Sequence, residues 1–309
     1  MGVRVANQET LDLAAGIIRR GGVVVMPTET VYGLACNAMD ADAVRRVFEI
    51  KGRPEDNPLI VHISSADQLK TVAASWPKEA EILAERFWPG PLTMVLPKNP
   101  KVPNETTAKL DTVAVRVPGH MVARELIRLA GVPVAAPSAN LFMSLSPTTA
   151  EAVDPEIQVD VDMIIDGGPC EVGLESTVID LTGPHPRILR PGAVTRAQIQ
   201  STLGRPLGEL PPPEVKRSPG MYARHYAPKT KLVMVDEVGE DATGLVFQEP
   251  ANGRQFKMPL DPTAYGVLLY AALRRLDLLN SAEIQVAMPP QIPEWEAVND
   301  RLRKAAGQA

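Results

Sequence analysis

Residues 27–34, with the sequence PTETVYGL, contain hydroxyl and carboxyl groups in a turn that directly follows a short apolar segment at 23–26. That segment is predicted to be a buried strand, broken by Pro27. Ligands of open α/β sheets bind beyond the carboxyl ends of strands, so the turn is well placed for a binding site. Taken alone, the same turn is also compatible with the capped start of a helix.

Two cations and a histidine make up a second cluster. Lys51 and Arg53 stand on either side of a glycine and before a proline. Two cations on such a stiff loop suit a polyphosphate, although a Lys-Gly pair is also ordinary at a helix end. In the predicted strand 59–63, the alternation of side chains places His62 on the face opposite the larger apolar residues. A purely structural histidine is an equally good interpretation.

Residues 111–118, with the sequence DTVAVRVP, form a third cluster. Alternation puts the valines on one face of a strand and Thr112, Ala114 and Arg116 on the other. Because charged side chains are rarely buried without a partner, Arg116 is either exposed or directed at an anion such as a carboxylate.

Two further clusters offer small hydroxyl groups and an arginine. A predicted strand runs into the turn of residues 135–140, AAPSAN, where hydroxyl and backbone N–H groups could approach a phosphate or ribose. The alternative is a turn that caps a helix starting near Thr149. Residues 173–180 and 187–192 are predicted to form a hairpin with Arg190 at its end. Ser176 lacks the context of a catalytic nucleophile, which indicates a hydrogen-bond donor instead.

The elements that must position these clusters alternate between strand and helix, which predicts an α/β sheet protein. Helices are expected at 8–20, 40–50, 79–87 and 120–130, and strands at 23–26, 59–63, 113–117, 132–136, 163–165 and 177–181. Neither GxxxxGK[ST] nor GxGxxG occurs in the chain. A bound nucleotide would therefore be held through other contacts.

The chain changes character at about residue 203. Prolines cluster between 203 and 228, which is typical of a semi-rigid spacer. Strands are expected again at 231–235, 244–247 and 283–287, with helices at 264–279 and 294–305. The pattern predicts domains at 1–203 and 229–309, the second a small α/β unit, joined by a Pro-rich linker at 204–228.

Composition excludes several classes of protein. Apolar residues make up 45% of the 309-residue chain and charged residues 22%, as in soluble globular proteins. The net charge of -5 gives no general basic field for nucleic acid. Cys36, Cys170 and four histidines form neither a disulfide framework nor a zinc-like set. No apolar run approaches the roughly 18 to 20 residues that span a bilayer, so we expect a cytoplasmic protein that does not act on a membrane.

Together and in this order, the clusters resemble the YrdC-like threonylcarbamoyl-AMP synthases. The resemblance covers about residues 8–200 through PTETVYGL, KGRP with NPLIVHI, DTVAVRVP, APSAN, GLESTVIDL and ILRPGA. Residues 218–228, SPGMYARHYAP, resemble the linker of the long, two-domain form. The resemblance implies a twisted, open, mixed sheet with helices, then the linker and a small Rossmann-like α/β domain.

The resemblance also implies a reaction and a set of site residues. L-threonine, bicarbonate and ATP would give threonylcarbamoyl-AMP and pyrophosphate, and a separate transferase complex would use the product to modify tRNA. Lys51 and Arg53 would be the catalytic cations. The implied ATP contacts are Lys51, Arg53, Asn57, Thr112, Ser138, Ser146, Arg190 and Tyr226. The implied threonine contacts are Thr30, His62, Arg116, Ala136 and Ser176. Mg²⁺ would be carried on the ATP phosphates, since the sequence offers no cluster of carboxylates.

Two other functions remain as alternatives, and the linker has a possible role of its own. A carbamoyl-transferring maturation enzyme is disfavoured because the chain has no pairs of cysteines. A double-stranded RNA-binding module is disfavoured by the negative charge. An N-carboxy amino acid readily loses carbon dioxide in water, so the site should exclude solvent. Residues 218–228 would exclude solvent if they formed a lid, hinged at Ser218–Gly220 and carrying Arg224, His225 and Tyr226. The alternative is a solvated spacer between the domains.

Overall fold

The computed structural model describes residues 2–208 and 224–308, which form two β-sheets with helices packed on them. The strands of the larger sheet are β1 (Val3–Val5), β2 (Val24–Met26), β3 (Gly33–Asn37), β4 (Ile60–His62), β5 (Leu92–Pro97), β6 (Thr112–Arg116), β7 (Val134–Ala135), β8 (Met163–Asp166), β9 (Thr177–Asp180) and β10 (Arg187–Arg190). The helices of this part are α1 (Gln8–Arg19), α2 (Ala41–Lys51), α3 (Leu69–Val72), α4 (Lys78–Phe87), α5 (Asn104–Thr107), α6 (Met121–Ala130), α7 (Pro155–Asp160) and α8 (Arg196–Leu203).

The larger sheet is mixed and open. Its strand order is β1-β8-β2-β3-β7-β4-β6-β5-β9-β10. Strand β4 runs parallel to β6 and β5 runs parallel to β9, whereas β5 and β6 are antiparallel. The predicted mixed α/β fold is therefore confirmed, and so is the hairpin of β9 with β10.

Helices α1 and α6 cover part of one face of this sheet. Asn7 caps α1, its side chain accepting a hydrogen bond from the backbone N–H of Thr10 at 2.9 Å. The apolar face of α1, predicted from its helical spacing, is buried against α6 and strands β2, β3, β7 and β8. The other face of the sheet is covered by α2, α4 and α7, which bury most of the main core.

Strands β4, β5, β6 and β9 extend beyond the part of the sheet that α1 and α6 cover. On that face they present only a small apolar cluster, formed by Ile60, Val95, Ala114 and Val178. The opposite face of the same strands packs into the main core, through residues such as Leu59, Val61 and Val115. The alternation predicted for β4 and β6 is thus correct, and it directs His62 and Arg116 to the sparsely covered face.

Some elements differ from the prediction. Strands β1, β3 and β5 were not predicted, and residues of β3 and β5 are buried on both faces, which hides the alternation of a half-buried strand. The alternative interpretation of the 135–140 turn, as the cap of a helix starting near Thr149, is wrong, because the next helix, α7, begins only at Pro155. A residue before proline disfavours helical backbone, so a helix from Thr149 would break at Asp154.

The C-terminal part is a second α/β unit, as predicted. Its strands β11 (Lys231–Val235), β12 (Gly244–Val246), β13 (Gln255–Lys257) and β14 (Glu283–Ala287) are all parallel, in the order β11-β14-β12-β13. Helices α9 (Pro262–Asp277) and α10 (Glu296–Ala306) complete it. Its apolar core also includes Val31, Leu145 and Leu174 from the first part of the chain.

The proposed hinge at Ser218–Gly220 and most of the Pro-rich segment lie outside the described residues. The two cysteines, Cys36 and Cys170, are buried and not joined to each other. Within residues 2–208 and 224–308, no helix combines the length and the apolar character that crossing a bilayer requires.

Candidate active site

A cavity lies over the sparsely covered face of the larger sheet, and each of the five sequence clusters contributes to its lining. The segment after residue 223 closes one side of it. The lining residues are Thr28, Thr30, Val31, Gly33, Arg53, Ile60, His62, Arg116, Ala136, Pro137, Ser138, Glu175, Ser176, Arg190, His225 and Tyr226.

The turn between β2 and β3 is held by its own hydroxyl groups. The side-chain oxygen of Thr28 accepts from the backbone N–H groups of Thr30 and Val31, each at 3.2 Å. The two threonine hydroxyls lie 2.9 Å apart. Strand β3 then bridges to the 135–140 turn through Gly33 and Ser138. The turn is therefore part of a hairpin and does not begin a helix.

Arg116, at the end of β6, contacts this turn through its guanidinium group. Its Nε donates to the carbonyl oxygen of Gly90 at 3.1 Å, and its Nη1 donates to the hydroxyl of Thr30 at 2.9 Å. Its Nη2 forms an ion pair of 2.6 Å with Glu29, whose side chain is only 8% exposed. Burial raises the pKa of Glu29, but the guanidinium of Arg116 outweighs it and the pKa is lowered overall. An anionic partner was predicted for Arg116, and within the protein that partner is the carboxylate of Glu29.

His62 lies beside Arg116, because β4 and β6 pair in that register. Burial lowers the pKa of His62 to about 3, and the positive charge of Arg116 adds to the effect. Its Nδ1 is buried and has no hydrogen-bond partner among the described residues. His62 therefore presents a neutral imidazole to the cavity, able to hydrogen-bond a polar ligand.

Two arginines give another part of the cavity a positive charge. Arg53 donates from Nη2 to the carbonyl oxygens of Asn57 and Pro58 at 3.1 and 3.0 Å. Arg190, at the end of β10, donates from Nε and Nη2 to the carbonyl oxygen of Ser176 at 3.0 and 2.9 Å. Both guanidinium groups are held by neutral carbonyls on one side and face the cavity, which suits an anion such as a phosphate.

Lys51 supports the cavity and is not part of its lining. It is the last residue of α2, where Gly52 ends the helix in a left-handed conformation at φ 58°. Its Nζ donates to the carbonyl oxygens of Ser138 and Asn140, each at 2.5 Å. Lys51 thereby fixes the 135–140 turn against the end of α2.

Three other predicted ligand contacts also lie outside the lining. Asn57 is fully buried, and neither polar atom of its amide has a hydrogen-bond partner among the described residues. Thr112 lies at the opposite end of β6 from Arg116. Ser146 donates to a carboxylate oxygen of Glu175 at 2.6 Å. The remaining predicted residues, which line the cavity, are Thr30, Arg53, His62, Arg116, Ala136, Ser138, Ser176, Arg190 and Tyr226.

Glu175 is a cavity residue that sequence reasoning missed. Burial raises its pKa, but Arg301 and Arg190 outweigh that effect and hold the pKa at about 2. The signal was present: GLESTVI places an acid just before a predicted buried strand, and a buried acid is rarely without partners. The cation that accompanies Glu175 is more than a hundred residues away in the chain, which sequence inspection could not reveal.

Tyr226 and His225 close the cavity from the segment that follows residue 223. Tyr226 has a left-handed backbone, with φ 57°, which is unfavourable for a residue with a bulky side chain. Its hydroxyl is buried and has no hydrogen-bond partner among the described residues. Such local strain is frequent at ligand-binding positions. Burial lowers the pKa of His225 to about 3.

The described residues include no group of three or more His, Cys, Asp or Glu side chains that could hold a metal ion. The one carboxylate in the cavity lining, Glu175, already accepts hydrogen bonds from Ser146, Tyr270 and Arg301.

Comparison with known proteins shows the family of the chain. The model of the Sua5–YciO–YrdC family, described as "Telomere recombination", matches residues 16–192. A second model, "Threonylcarbamoyl-AMP synthase, C-terminal domain", matches residues 194–307. The threonylcarbamoyl-AMP synthase of Pyrococcus abyssi is 50% identical over 96% of this chain and 94% of its own length. The Bacillus subtilis enzyme of the same name is 39% identical over 97% and 94%.

A solved structure extends the likeness to the whole fold. The crystal structure of P. abyssi Sua5 complexed with L-threonine superimposes with a TM-score of 0.93 and covers 100% of this chain and 98% of that one, at 39% identity in the superposition. The chain therefore belongs to the Sua5–YciO–YrdC family of threonylcarbamoyl-AMP synthases, in its long form with a C-terminal domain.

Proposed function

We propose that this protein is a nucleotidyltransferase that makes threonylcarbamoyl-AMP from L-threonine, bicarbonate and ATP, with release of pyrophosphate. The observation that carries the proposal is the composition of one cavity. Arg53 and Arg190 give it a cationic region, while Thr30, His62 and Arg116 give it a region of hydrogen-bonding groups. A triphosphate and a small amino acid have the matching chemistry.

The threonine region can bind an amino acid without losing its own contacts. A guanidinium has five N–H groups, and Arg116 uses two of them in hydrogen bonds to Gly90 and Thr30, beside its ion pair with Glu29. The others are available for the carboxylate of threonine. The neutral imidazole of His62 would hydrogen-bond the hydroxyl or the amine, and Ala136 would contact the methyl group.

The reaction requires no covalent intermediate with the protein. The amine of threonine combines with bicarbonate to give a carbamate and water. A carbamate oxygen then attacks the α-phosphorus of ATP, and the bond to the bridging oxygen of pyrophosphate breaks. The protein contributes by holding both reactants in one orientation and by stabilising the phosphate charge through Arg53 and Arg190. Lys51, Asn57, Thr112, Ser138 and Ser146 would support or contact the nucleotide, and Tyr226 would close over it.

Mg²⁺ would accompany ATP on its phosphate oxygens, where it supplies charge neutralisation. This fits a cavity whose one carboxylate among the described lining residues, Glu175, already accepts three hydrogen bonds from the protein. The product would pass to a separate transferase complex that acts on tRNA, in the cytoplasm.

Product analysis tests the proposal directly. The protein is incubated with ATP, Mg²⁺, L-threonine and bicarbonate, and the products are identified by mass spectrometry. Pyrophosphate release should require both threonine and bicarbonate. Serine should be the poorer substrate, by up to about a hundredfold, because one methyl group contributes about 1–3 kcal/mol in an apolar pocket. Equal turnover without any amino acid would contradict the proposal.

The two alternatives give different results. A protein that binds double-stranded RNA with steep salt dependence and releases no pyrophosphate would be an RNA-binding module. A carbamoyl-transferring enzyme would consume carbamoyl phosphate in place of threonine and bicarbonate. The match of the threonylcarbamoyl-AMP synthase of P. abyssi over 96% of the chain favours neither of them.

A further inference from the structure

Arg301 of α10 belongs to the C-terminal unit, yet its guanidinium is buried against three segments that form the cavity. Its side chain is 0% exposed, and its Nε donates to Glu175 at 2.8 Å. Its Nη2 donates at 3.0 Å to the carbonyl oxygen of Pro191, the residue after Arg190. Its guanidinium carbon also lies 4.9 Å from the centre of the Tyr226 ring, as in a cation–π contact.

Glu175 depends on the C-terminal unit for most of its hydrogen bonds. One carboxylate oxygen accepts from Ser146 at 2.6 Å, whereas the other accepts from Tyr270 of α9 at 2.9 Å and from Arg301. A buried carboxylate needs such partners to remain charged. Without the C-terminal unit, Glu175 would keep one donor, and its place in the cavity lining would no longer be fixed.

Helix α9 is also packed closely against the turn that leads into Glu175. Gly173, at φ +73°, has no room for a side chain: a Cβ there would lie 2.5 Å from the Cα of Val267. Tyr270 of the same helix stacks on Tyr226, with ring centres 6.2 Å apart. Backbone, ring and carboxylate contacts thus join α9 to two cavity residues, Glu175 and Tyr226, and to the turn before Glu175.

From these contacts we infer that the C-terminal unit completes the active site, and that Arg301 is a positioning residue for the nucleotide. It aligns Glu175, the Arg190–Pro191 turn and the ring of Tyr226 as one surface. The inference rests on the proposed function for the identity of the nucleotide. Among the described residues, the hydrogen bonds and ion pairs of Arg301 reach Glu175, Pro191 and Asp300 and none of Thr30, His62 or Arg116, so its loss should affect nucleotide binding first.

The test compares two conservative variants of arginines that both join the C-terminal unit to the first part of the chain. Arg301→Lys keeps the charge but cannot make all three contacts. Arg274→Lys is the matched control: Arg274 binds Asp154 and the carbonyl oxygen of Leu145, neither of which lines the cavity. Calorimetric titration measures the binding of α,β-methylene ATP and of L-threonine to each full-length protein.

For Arg301→Lys we expect affinity for α,β-methylene ATP to fall by about tenfold to a hundredfold, the range for losing hydrogen bonds to a charged group. Threonine affinity should change by about twofold or less, as for sites that share no partner. Arg274→Lys should bind both ligands like the wild type. Equal losses in the two arginine variants, or parallel losses of ATP and threonine affinity in Arg301→Lys, would overturn the inference.

Two additions keep the test decisive. If Arg301→Lys does not fold, as judged by circular dichroism and thermal unfolding, Tyr270→Phe replaces it. That variant removes only the hydroxyl that donates a hydrogen bond to Glu175, and it keeps the ring beside Tyr226. It should still weaken nucleotide binding selectively. Unchanged nucleotide affinity would overturn the inference. Wild-type protein that binds α,β-methylene ATP but forms no threonylcarbamoyl-AMP would contradict the proposed function while leaving the assignment of Arg301 standing.

Discussion

Glu29 and Arg116 form an ion pair of 2.6 Å whose side chains are only 8% and 4% exposed, and it joins the turn between β2 and β3 to the end of β6. In this buried region, each of the two charges is neutralised by the other. Removing one partner of a buried pair leaves the other charge buried without compensation. The resulting loss of stability is larger than the net stabilisation that the intact pair provides. This relationship shapes how the site can be probed by mutation.

Arg116→Ala should therefore affect both stability and threonine binding. We expect the free energy of unfolding to fall by about 3–5 kcal/mol, because Glu29 is left buried and charged. Adding Glu29→Gln should recover much of that stability but not the threonine affinity. Chemical denaturation and calorimetric titration measure the two effects separately. The exposed pair of Arg128 and Glu125 provides the control, since Arg128→Ala should change neither quantity appreciably. Recovery of threonine binding in the double variant would show that Arg116 does not contact the amino acid.

Arg53→Ala should weaken ATP binding selectively. Its guanidinium lines the cavity, and losing a desolvated partner of a phosphate corresponds to about 2–5 kcal/mol. Threonine affinity should remain close to that of the wild type. Arg45→Ala removes an arginine of α2 that pairs with Asp42 and Glu105 outside the cavity, and it serves as the matched control. A variant of Arg53 that lost threonine and retained ATP would reverse the proposed orientation of the ligands.

Lys51→Met separates an indirect role from a direct one. The Nζ of Lys51 binds two backbone carbonyls of the 135–140 turn, so its loss should loosen that turn and leave two buried acceptors unsatisfied, each at a cost of about 1–3 kcal/mol. We expect lower thermal stability and a higher KM for both ATP and threonine. A rise in the KM for ATP alone, with unchanged stability, would indicate direct contact with the phosphates.

Stability should decrease between pH 6.5 and pH 5 because of two buried histidines. The pKa values of His62 and His225 are lowered to about 3, mainly by burial, so neither takes up a proton in the folded state in this range. The unfolded chain does, with a pKa of about 6.5, so the destabilisation from each histidine approaches about 1.4 kcal/mol per pH unit as the pH falls below that value. Glu175, with a pKa of about 2, adds a similar loss only below about pH 4.5.

Denaturant unfolding at several pH values measures this slope. The variant His62→Gln should reduce the slope between pH 6.5 and pH 5 by about half, because one of the two titrating groups is removed. An unchanged slope would mean that His62 is protonated in the folded protein.

Much of this site follows from sequence patterns that act over a few residues. Strand alternation placed His62 and Arg116 on the correct face, because side chains in a strand alternate regardless of what packs on them. The Lys-Gly pair at 51–52, ordinary at a helix end, does mark where α2 stops. Such local rules are enough to bring Arg53 and Arg190 to the ends of predicted elements.

What the sequence did not predict depends on contacts between distant segments. The sequence predicts Lys51 to be a phosphate ligand, whereas in the structure its Nζ donates to backbone carbonyls of the 135–140 turn. Likewise, the partner of Glu175 lies in the last helix, at Arg301. Pairing of this kind is decided by tertiary packing. Strands β3 and β5 were missed for a related reason, since both of their faces are buried by other parts of the fold.

The buried pair of Glu175 and Arg301 also bears on how the molecule comes apart. Proteins with two sheets often melt in two steps, each unit unfolding by itself. Here, separating the units would expose part of a shared apolar core and break the ion pair between two buried, oppositely charged side chains. Neither unit should therefore be stable when the other is unfolded. Heating should produce one cooperative calorimetric transition, in which the two units unfold together.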